Sequence, residues 1–373
     1  MSSIVFPEQL FTHMKSKLLN EENPLESSAI IFMNLAEKQG PPRFLVREVV
    51  VIPPEAYEVR TVTRIQLSSA FIGRMTKRAL IAKQLLGFVH THPLDISDSP
   101  QFSYTDDEGE DRLARFLKAK TGTNLHASVV LSKGGASARI LGSHEALALT
   151  SVGASVQQLT DISNKQQTSY RYDRQVRAFG REGQQILNQL RVGVVGAGGT
   201  GSAVIQSLAL LGVRSYCLID PDTVSNTNLN RLIGATSSDV NLPKVEVASR
   251  MIRSIQADAD ITVVQGDVTS LSVSKELLHM DFIFCCTDSH GSRSVLNQIA
   301  YQYLIPVIDM GISIRVQDGM ISHITGRIQM LSPGLGCLVC GNLLDSNQVR
   351  WDFMRLILKY DDMIIKYWTR TSF

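Results

Sequence analysis

Residues 191–202 read RVGVVGAGGTGS: a short Val-rich run passes into Gly196-Ala-Gly-Gly-Thr-Gly201, and an apolar helical pattern, SAVIQSLALLG, follows. Without side chains at Gly196, Gly198, Gly199 and Gly201, the backbone can approach a phosphate group closely. The helix start adds unpaired N–H donors. Asp220 comes 24 residues after Gly196, at the end of the next apolar run, SYCLID, where a carboxylate reaches a ribose hydroxyl. Outward from this loop the pattern repeats, with ITVVQG, MDFIFCCTD and IPVIDMG separated by helical stretches. Short continuous apolar runs alternating with helices predict a parallel α/β sheet covered on both faces.

The glycine loop and Asp220 alone would suit a dinucleotide-dependent oxidoreductase, and the residues that follow shift the reading. The stretch from Asp220 to Arg231, DPDTVSNTNLNR, places Asn228 and Arg231 just beyond the ribose-binding end of the strand. Lys244 follows thirteen residues later at a helix start. A hydride transferase needs no such pair of cations, whereas attack on an α-phosphate develops charge on phosphoryl oxygens and on departing pyrophosphate. Asp288 ends FCCTD at the same sheet edge, where a carboxylate holds Mg²⁺ against phosphates.

The stretch from Tyr172 to about Gly341 resembles the ThiF/MoeB/HesA superfamily, related to ubiquitin-activating enzymes. The resemblance rests on Tyr172-x-Arg174-Gln175, the GxGGxGS loop, the D-x-D-x-V-x-x-x-N-x-x-R run, Pro243-Lys244-Val245, and Thr287-Asp288 with Arg293 and Asn297. It implies a Rossmann-like, doubly wound domain binding ATP, with Asp220 on ribose, Arg231 and Lys244 on phosphates and Asp288 on Mg²⁺. Arg174 is similar to the arginine that reaches into a partner protomer's site, which implies a homodimer. The implied reaction is adenylation of the C-terminal glycine of a ubiquitin-like or sulfur-carrier protein.

The first part of the chain carries a second constellation. SSAIIFMNLA and FLVREVVVI read as strands, Ser68–Leu86 and Asp106–Lys118 as helices, and GFVHTHP, ASVVLS and SARILG as further strands. His90 and His92, at i and i+2 on a strand, point to one face and can meet one ion. A carboxylate from Asp106 completes three ligands and leaves a fourth tetrahedral position for water, as in a catalytic zinc site. Asp107 is an alternative ligand that breaks the SxxD spacing. Glu26 is the candidate base and Ser103 a donor to an oxyanion. This E…HxHP…SxxD set, over Leu10–Gly142, resembles the JAMM/MPN metalloproteases, which cleave after the terminal glycine of ubiquitin-like proteins. The stretch from His92 to Ser103 is about three residues longer than that family's spacing and contains the loop-like DISDSP.

The expected organisation is a JAMM/MPN α/β domain with a mixed sheet at 1–155, a linker at 156–171 and the adenylation domain at 172–373. A Ser/Gln/Asn-rich shift from Ser151 to Ser169 marks the boundary. The tail after Val349 is shorter than the ThiF-type closing elements, which points to a truncated or divergent C-terminus. The 373 residues carry a net charge of +2, which excludes bulk attraction to nucleic acid or an anionic membrane. No run reaches the roughly 20 apolar residues of a membrane helix, and the N-terminus reads as an amphipathic helix after Pro7. Five cysteines do not form a disulfide framework and suit the cytoplasm. Cys337-x-x-Cys340 is half of a zinc ribbon or a pair of thiols, with no second CxxC downstream.

ATP, Mg²⁺ and Zn²⁺ are the expected cofactors. A protease–activating-domain pair of this order resembles components of bacterial ubiquitin-like conjugation operons, some linked to antiphage defence. The alternatives are a sulfur-carrier adenylyltransferase in cofactor or cysteine biosynthesis, and a non-catalytic scaffold for a ubiquitin-like protein.

Overall fold

The computed structural model describes residues 2–20, 24–36, 41–160 and 169–355. The chain divides into two compact units, Met1–Ser163 and Asn164–Phe373.

In the first unit the order is β1 (Ser3–Pro7), α1 (Glu8–Leu18), β2 (Ser28–Leu35), β3 (Arg43–Val51), β4 (Tyr57–Arg60), β5 (Ile65–Leu67) and α2 (Ser69–Ala82). There follow β6 (Leu85–Thr91), α3 (Tyr104–Thr121), β7 (Ala127–Leu131), β8 (Ala136–Ile140), β9 (Ala148–Val152) and β10 (Val156–Gln158). Eight strands form one mixed sheet in the order β10-β9-β1-β3-β2-β6-β7-β8. The β1/β3, β1/β9 and β6/β7 pairs are parallel and the others antiparallel.

Strand β2 shows why its sequence is apolar throughout. Ile31 and Met33 pack on one face with Phe11, Met14 and Leu18 of α1, while Ile30 and Phe32 pack on the other with Phe71 of α2 and Leu117 of α3. A strand buried on both sides loses the polar alternation of a surface strand. Each such side chain contributes about 1.5–3 kcal/mol.

Two parts of this unit differ from the sequence expectation. Ser3–Pro7, assigned to no element by the sequence pattern, is a strand held in register between β3 and β9, and the expected helix follows it directly as α1. The Ser/Gln/Asn-rich stretch begins inside the sheet: β9 runs through Ser151, and β10 occupies the first residues of the expected 156–171 linker. All three β10 residues are exposed, so an edge strand there needs no apolar pattern. Residues 161–168 of that linker lie outside the described residues.

The second unit contains α4 (Asp173–Gln189), β11 (Arg191–Val195), α5 (Gly199–Leu211), β12 (Ser215–Ile219), α6 (Lys244–Ile255), β13 (Asp260–Val264), α7 (Leu271–Lys275), β14 (Phe282–Cys285), α8 (His290–Gln302), β15 (Val307–Gln317) and β16 (Met320–Leu331). The sheet order is β13-β12-β11-β14-β15-β16. Its first five strands are parallel, and β16 closes it antiparallel to β15. Val192, Val194, Tyr216 and Leu218 pack with Ile205 of α5 and Val245 and Ile252 of α6. On the other face Val195, Ile219, Ile283 and Val307 pack with Leu296, Ile299 and Ala300 of α8. This is a doubly wound sheet, as the alternation of apolar runs predicts. Chain order reverses between β11 and β14, so the crevice outside the ends of those strands is the natural ligand position.

The twelve residues of β16 have no counterpart in the sequence reading. MISHITGRIQML is interrupted by Ser, His, Gly and Arg, and pairs only with β15. Asp309 on β15 is fully buried and is paired with Arg293 of α8 and Arg327 of β16.

Candidate functional site

The glycine loop joins β11 to α5 at the crevice. Gly196 has φ +92°, and a Cβ there would stand 2.7 Å from the Cys286 carbonyl oxygen. A Cβ on Gly201 would fall 1.8 Å from the Gly196 carbonyl oxygen. Both contacts are with backbone, so only glycine fits. Gly198 forms the helix N-cap and Gly199 is the first residue of α5, and these positions present unpaired N–H groups outward.

Asp220 follows β12 and is 5% exposed. Its Oδ2 accepts from Ala197 N at 2.7 Å and its Oδ1 from Asp222 N at 2.8 Å. Burial pushes its carboxyl above the usual range, against those two bonds and nearby Lys244. Asp220 therefore braces the glycine loop, and a carboxylate oxygen retains a lone pair for a second donor.

Lys244, at the start of α6, places Nζ 2.6 Å from Asp222 and 3.9 Å from Asp220. Arg231 reaches the loop from the other side. A Cβ on Gly199 would meet its Cγ and Cδ at 3.3 Å, so the aliphatic stem lies over the glycine. Its Nη1 donates to the Thr227 carbonyl at 2.7 Å. Asn228 serves this segment structurally, its Oδ1 accepting from Ser225 N at 3.1 Å. Ser202 Oγ accepts from Ile233 N at 3.1 Å and ties the Arg231 segment to α5.

Asp288 is exposed just beyond β14, and its carboxylate makes no hydrogen bond or ion pair with the described residues. The next turn is capped by Asp352, which accepts from Ser289 Oγ at 2.9 Å and Gly291 N at 2.8 Å. Asn297 anchors a later segment, its Oδ1 accepting from Leu338 N at 2.9 Å. Arg174 is not brought to this edge. It is exposed on the first turn of α4, and its neighbour Gln175 donates to the Leu210 carbonyl at the far end of α5.

In the first unit, His90 lies in β6, His92 just after it, and Asp106 in the first turn of α3. One ligand atom from each lies within 4.8 Å of the others; among the described residues this is the one group of three or more metal-ligating side chains. His90 Nε2 stands 3.3 Å from Asp106 Oδ1 and His92 Nε2 3.5 Å from Oδ2. Burial opposes it, but the two imidazoles hold the Asp106 carboxyl well below the usual carboxylate range. Asp106 in turn raises His92, against burial. His90 Nε2 is buried without a hydrogen-bond partner. A buried imidazole nitrogen that lacks a hydrogen bond, beside a second imidazole and a carboxylate, fits a divalent ion.

The SxxD spacing has a structural basis. Ser103 is the N-cap of α3: its Oγ accepts from Asp106 N at 3.2 Å, and Asp106 Oδ2 accepts from Ser103 N at 2.6 Å. This capping box aims the carboxylate at the histidines. The Ser103 hydroxyl proton remains available to a ligand. Asp107, the alternative ligand, is committed to Arg139 at 2.6 Å. Glu26, 5% exposed, is pushed up to about 6 by burial, with the two histidines acting in the opposite direction. Its backbone is fixed by Thr61 and Arg60.

The longer His92–Ser103 segment is packed down. A Cβ on Gly135 would lie 1.9 Å from the Asp98 carbonyl oxygen, and Ser132 Oγ donates to the Ser97 carbonyl at 2.5 Å. Sequence reasoning missed Arg139, whose guanidinium stacks over Phe102 at 3.8 Å and bonds Glu110 at 3.0 Å. No spacing rule links residues 29 apart on β8 and α3.

Cys337 and Cys340 place their sulfurs 3.0 Å apart, and neither belongs to a group of three metal-ligating side chains among the described residues. Burial pushes the Cys217 and Cys286 thiols up to about 12 and Cys285 higher still, so none of these three is a ready thiolate.

Residues 172–356 match the ThiF family. The molybdopterin-synthase adenylyltransferase of Salmonella typhimurium (strain LT2) is 36% identical over 163 residues, covering 43% of this chain and 65% of that protein. The SAMP-activating enzyme E1 of Haloferax volcanii is 32% identical over 161 residues, covering 43% of this chain and 56% of that protein. The molybdopterin-synthase adenylyltransferase of Escherichia coli (strain K12) is 35% identical over 161 residues, covering 43% and 64%. The chain thus spans less than two thirds of the length of each of these relatives. With the glycine loop, Asp220, Arg231 and Lys244 set around one crevice, residues 172–356 form a ThiF-family domain.

Proposed function

We propose that the C-terminal unit adenylates the C-terminal glycine of a ubiquitin-like or sulfur-carrier protein, consuming ATP and releasing pyrophosphate. The observation that carries this reading is the convergence of the Gly196–Gly201 loop, Asp220, Arg231 and Lys244 at the strand-order reversal. The loop N–H groups receive phosphate oxygens and Asp220 accepts from the ribose. Arg231 and Lys244 neutralise charge that grows as the carboxylate attacks the α-phosphorus and the bond to pyrophosphate breaks. Asp288, solvent-facing and unpaired among the described residues, fits the single-carboxylate ligation common for Mg²⁺. The ion, when bound, neutralises phosphate charge. Arg174, remote from its own crevice, suits a role in the site of a second copy, which makes a homodimer part of the proposal.

The first unit, on this reading, is a JAMM/MPN-like zinc peptidase that trims or releases the same C-terminus. His90, His92 and Asp106 hold the ion, which when bound supplies Lewis-acid polarisation. Glu26, with its carboxyl near neutrality, takes a proton from the attacking water, and Ser103 donates to the developing oxyanion. The pairing supports a role in bacterial ubiquitin-like conjugation, including its antiphage forms. The unpaired thiols suit the cytoplasm, and no described helix is long and apolar enough to cross a membrane. Sulfur-carrier activation for cofactor synthesis is the second reading, favoured by the similarity to molybdopterin-synthase adenylyltransferases.

The test is mass spectrometry of ubiquitin-like and sulfur-carrier proteins incubated with the chain, ATP and Mg²⁺. An adenylate should form on a carrier ending in Gly-Gly and not on one lacking the terminal glycine. No adenylate on any such carrier would sink the proposal; a conjugate or a thiocarboxylate downstream separates the two readings.

A further inference from the structure

A cleft of about 320 Å³ opens at the edge of the six-stranded sheet opposite the glycine loop. Its walls include Ser169, Arg171, Tyr172, Arg214, Arg253 and Asp258. Arg214 immediately precedes β12, and Arg253 sits in the last turn of α6. The nucleotide crevice lies instead at the ends of β11 and β12 and the start of α6. The two regions are separated by the length of the strands.

Three arginines line this concavity with one aspartate. Local partners answer only part of their charge. Arg171 Nη1 donates to the Ile255 carbonyl at 2.6 Å, closing the end of α6. Arg214 Nη1 pairs with Asp258 at 3.0 Å, but its Nε is buried with no partner. Arg253 is exposed and makes no hydrogen bond or ion pair with the described residues. A favourable position at a helix C-terminus accounts for one cation there, not for three around a cavity. The buried Tyr172 ring gives one rigid wall, and the Ser169 hydroxyl adds a polar group.

We propose that this cleft binds a small phosphate-bearing anion at a site separate from the nucleotide crevice. Planar guanidinium forks match phosphate oxygens, and several converging on one concavity hold a dianion that a flat surface would not. The proposal is independent of the adenylation reading, since none of its residues belongs to the crevice.

Calorimetric titration of the full chain with magnesium-free inorganic pyrophosphate tests it. In an Arg231→Ala/Lys244→Ala background, which disables the crevice, one site should remain. Adding Arg253→Ala should weaken that site about tenfold, and Arg214→Gln further. Arg253→Ala decides the matter because that side chain supports nothing else, and its melting temperature should equal the parent's. Should the double background not fold, the wild-type chain should show two sites, with Arg253→Ala weakening one. Loss of all binding in a folded double background, or binding indifferent to Arg253→Ala, overturns the proposal.

Discussion

The two candidate sites are built in different materials. The glycine-loop crevice is mostly backbone: two glycines, Gly196 and Gly201, that tolerate no Cβ, a helix start, and a carboxylate, Asp220, whose two oxygens each hold a backbone N–H. The His90/His92/Asp106 pocket is made of side chains, aimed by a capping box and a buried arginine. A backbone site is robust to changes around it and fails abruptly when a glycine changes. A side-chain site should fail by degrees, according to how far each substitution stands from the ligands.

The largest effect is expected at Gly201→Ala. Its Cβ would meet the Gly196 carbonyl at 1.8 Å, so the loop must shift, and ATP-dependent activity should fall by about a hundredfold or more. Zinc binding by the first unit should be unchanged; pyrophosphate exchange into ATP and equilibrium dialysis against zinc would show the two, and equal loss of both would erase the contrast.

His90→Ala makes the opposite cut. Removing one of three ligands should weaken zinc by more than the about hundredfold that a supporting residue costs, with pyrophosphate exchange untouched. Metal content by mass spectrometry after chelator competition reads this directly.

Arg139→Met sharpens the idea of graded failure. Glu110, 9% exposed at its side chain, would lose its buried cation, at about 3 kcal/mol. The start of α3 should loosen and zinc affinity drop about tenfold. Thermal melts and chelator competition together distinguish this from a change without consequence for Asp106.

The smallest effect concerns pH. Glu26 is pushed up from 4.5 to about 6 by burial, so in the metal-free chain the folded state binds its proton more tightly than the unfolded state. That contribution is full below about pH 4.5 and is lost as pH rises through 6. It amounts to about 2 kcal/mol. The stability difference between wild type and Glu26→Gln, followed by denaturant titration across that window, should change by this amount; a flat difference would place Glu26 in a wetter setting.

The same contrast explains what was legible in the sequence. A backbone constraint is written as glycines at fixed spacing, so Gly196–Gly201 and the strand before it could be read at once. The candidate ligands of the first unit could be grouped for a related reason: His90 and His92 are two apart along the chain, and Ser103 and Asp106 are the two ends of one capping box. The bracing was not. Arg139 meets Glu110 across 29 residues, Asp352 caps a helix 61 residues away, and Lys244 is held by Asp222 across 22. Edge strands were equally hidden, since β10 and much of β16 face solvent and need no apolar alternation. Long-range polar pairs and exposed edges leave no local periodicity to find.

Pyrophosphate exchange into ATP, driven by a carrier ending in Gly-Gly, tests the central claim most directly. The account predicts carrier-dependent exchange in the wild-type chain and in His90→Ala, and its loss in Lys244→Ala and Asp288→Ala. Exchange that survives both of those substitutions, or that never responds to any such carrier, would contradict it.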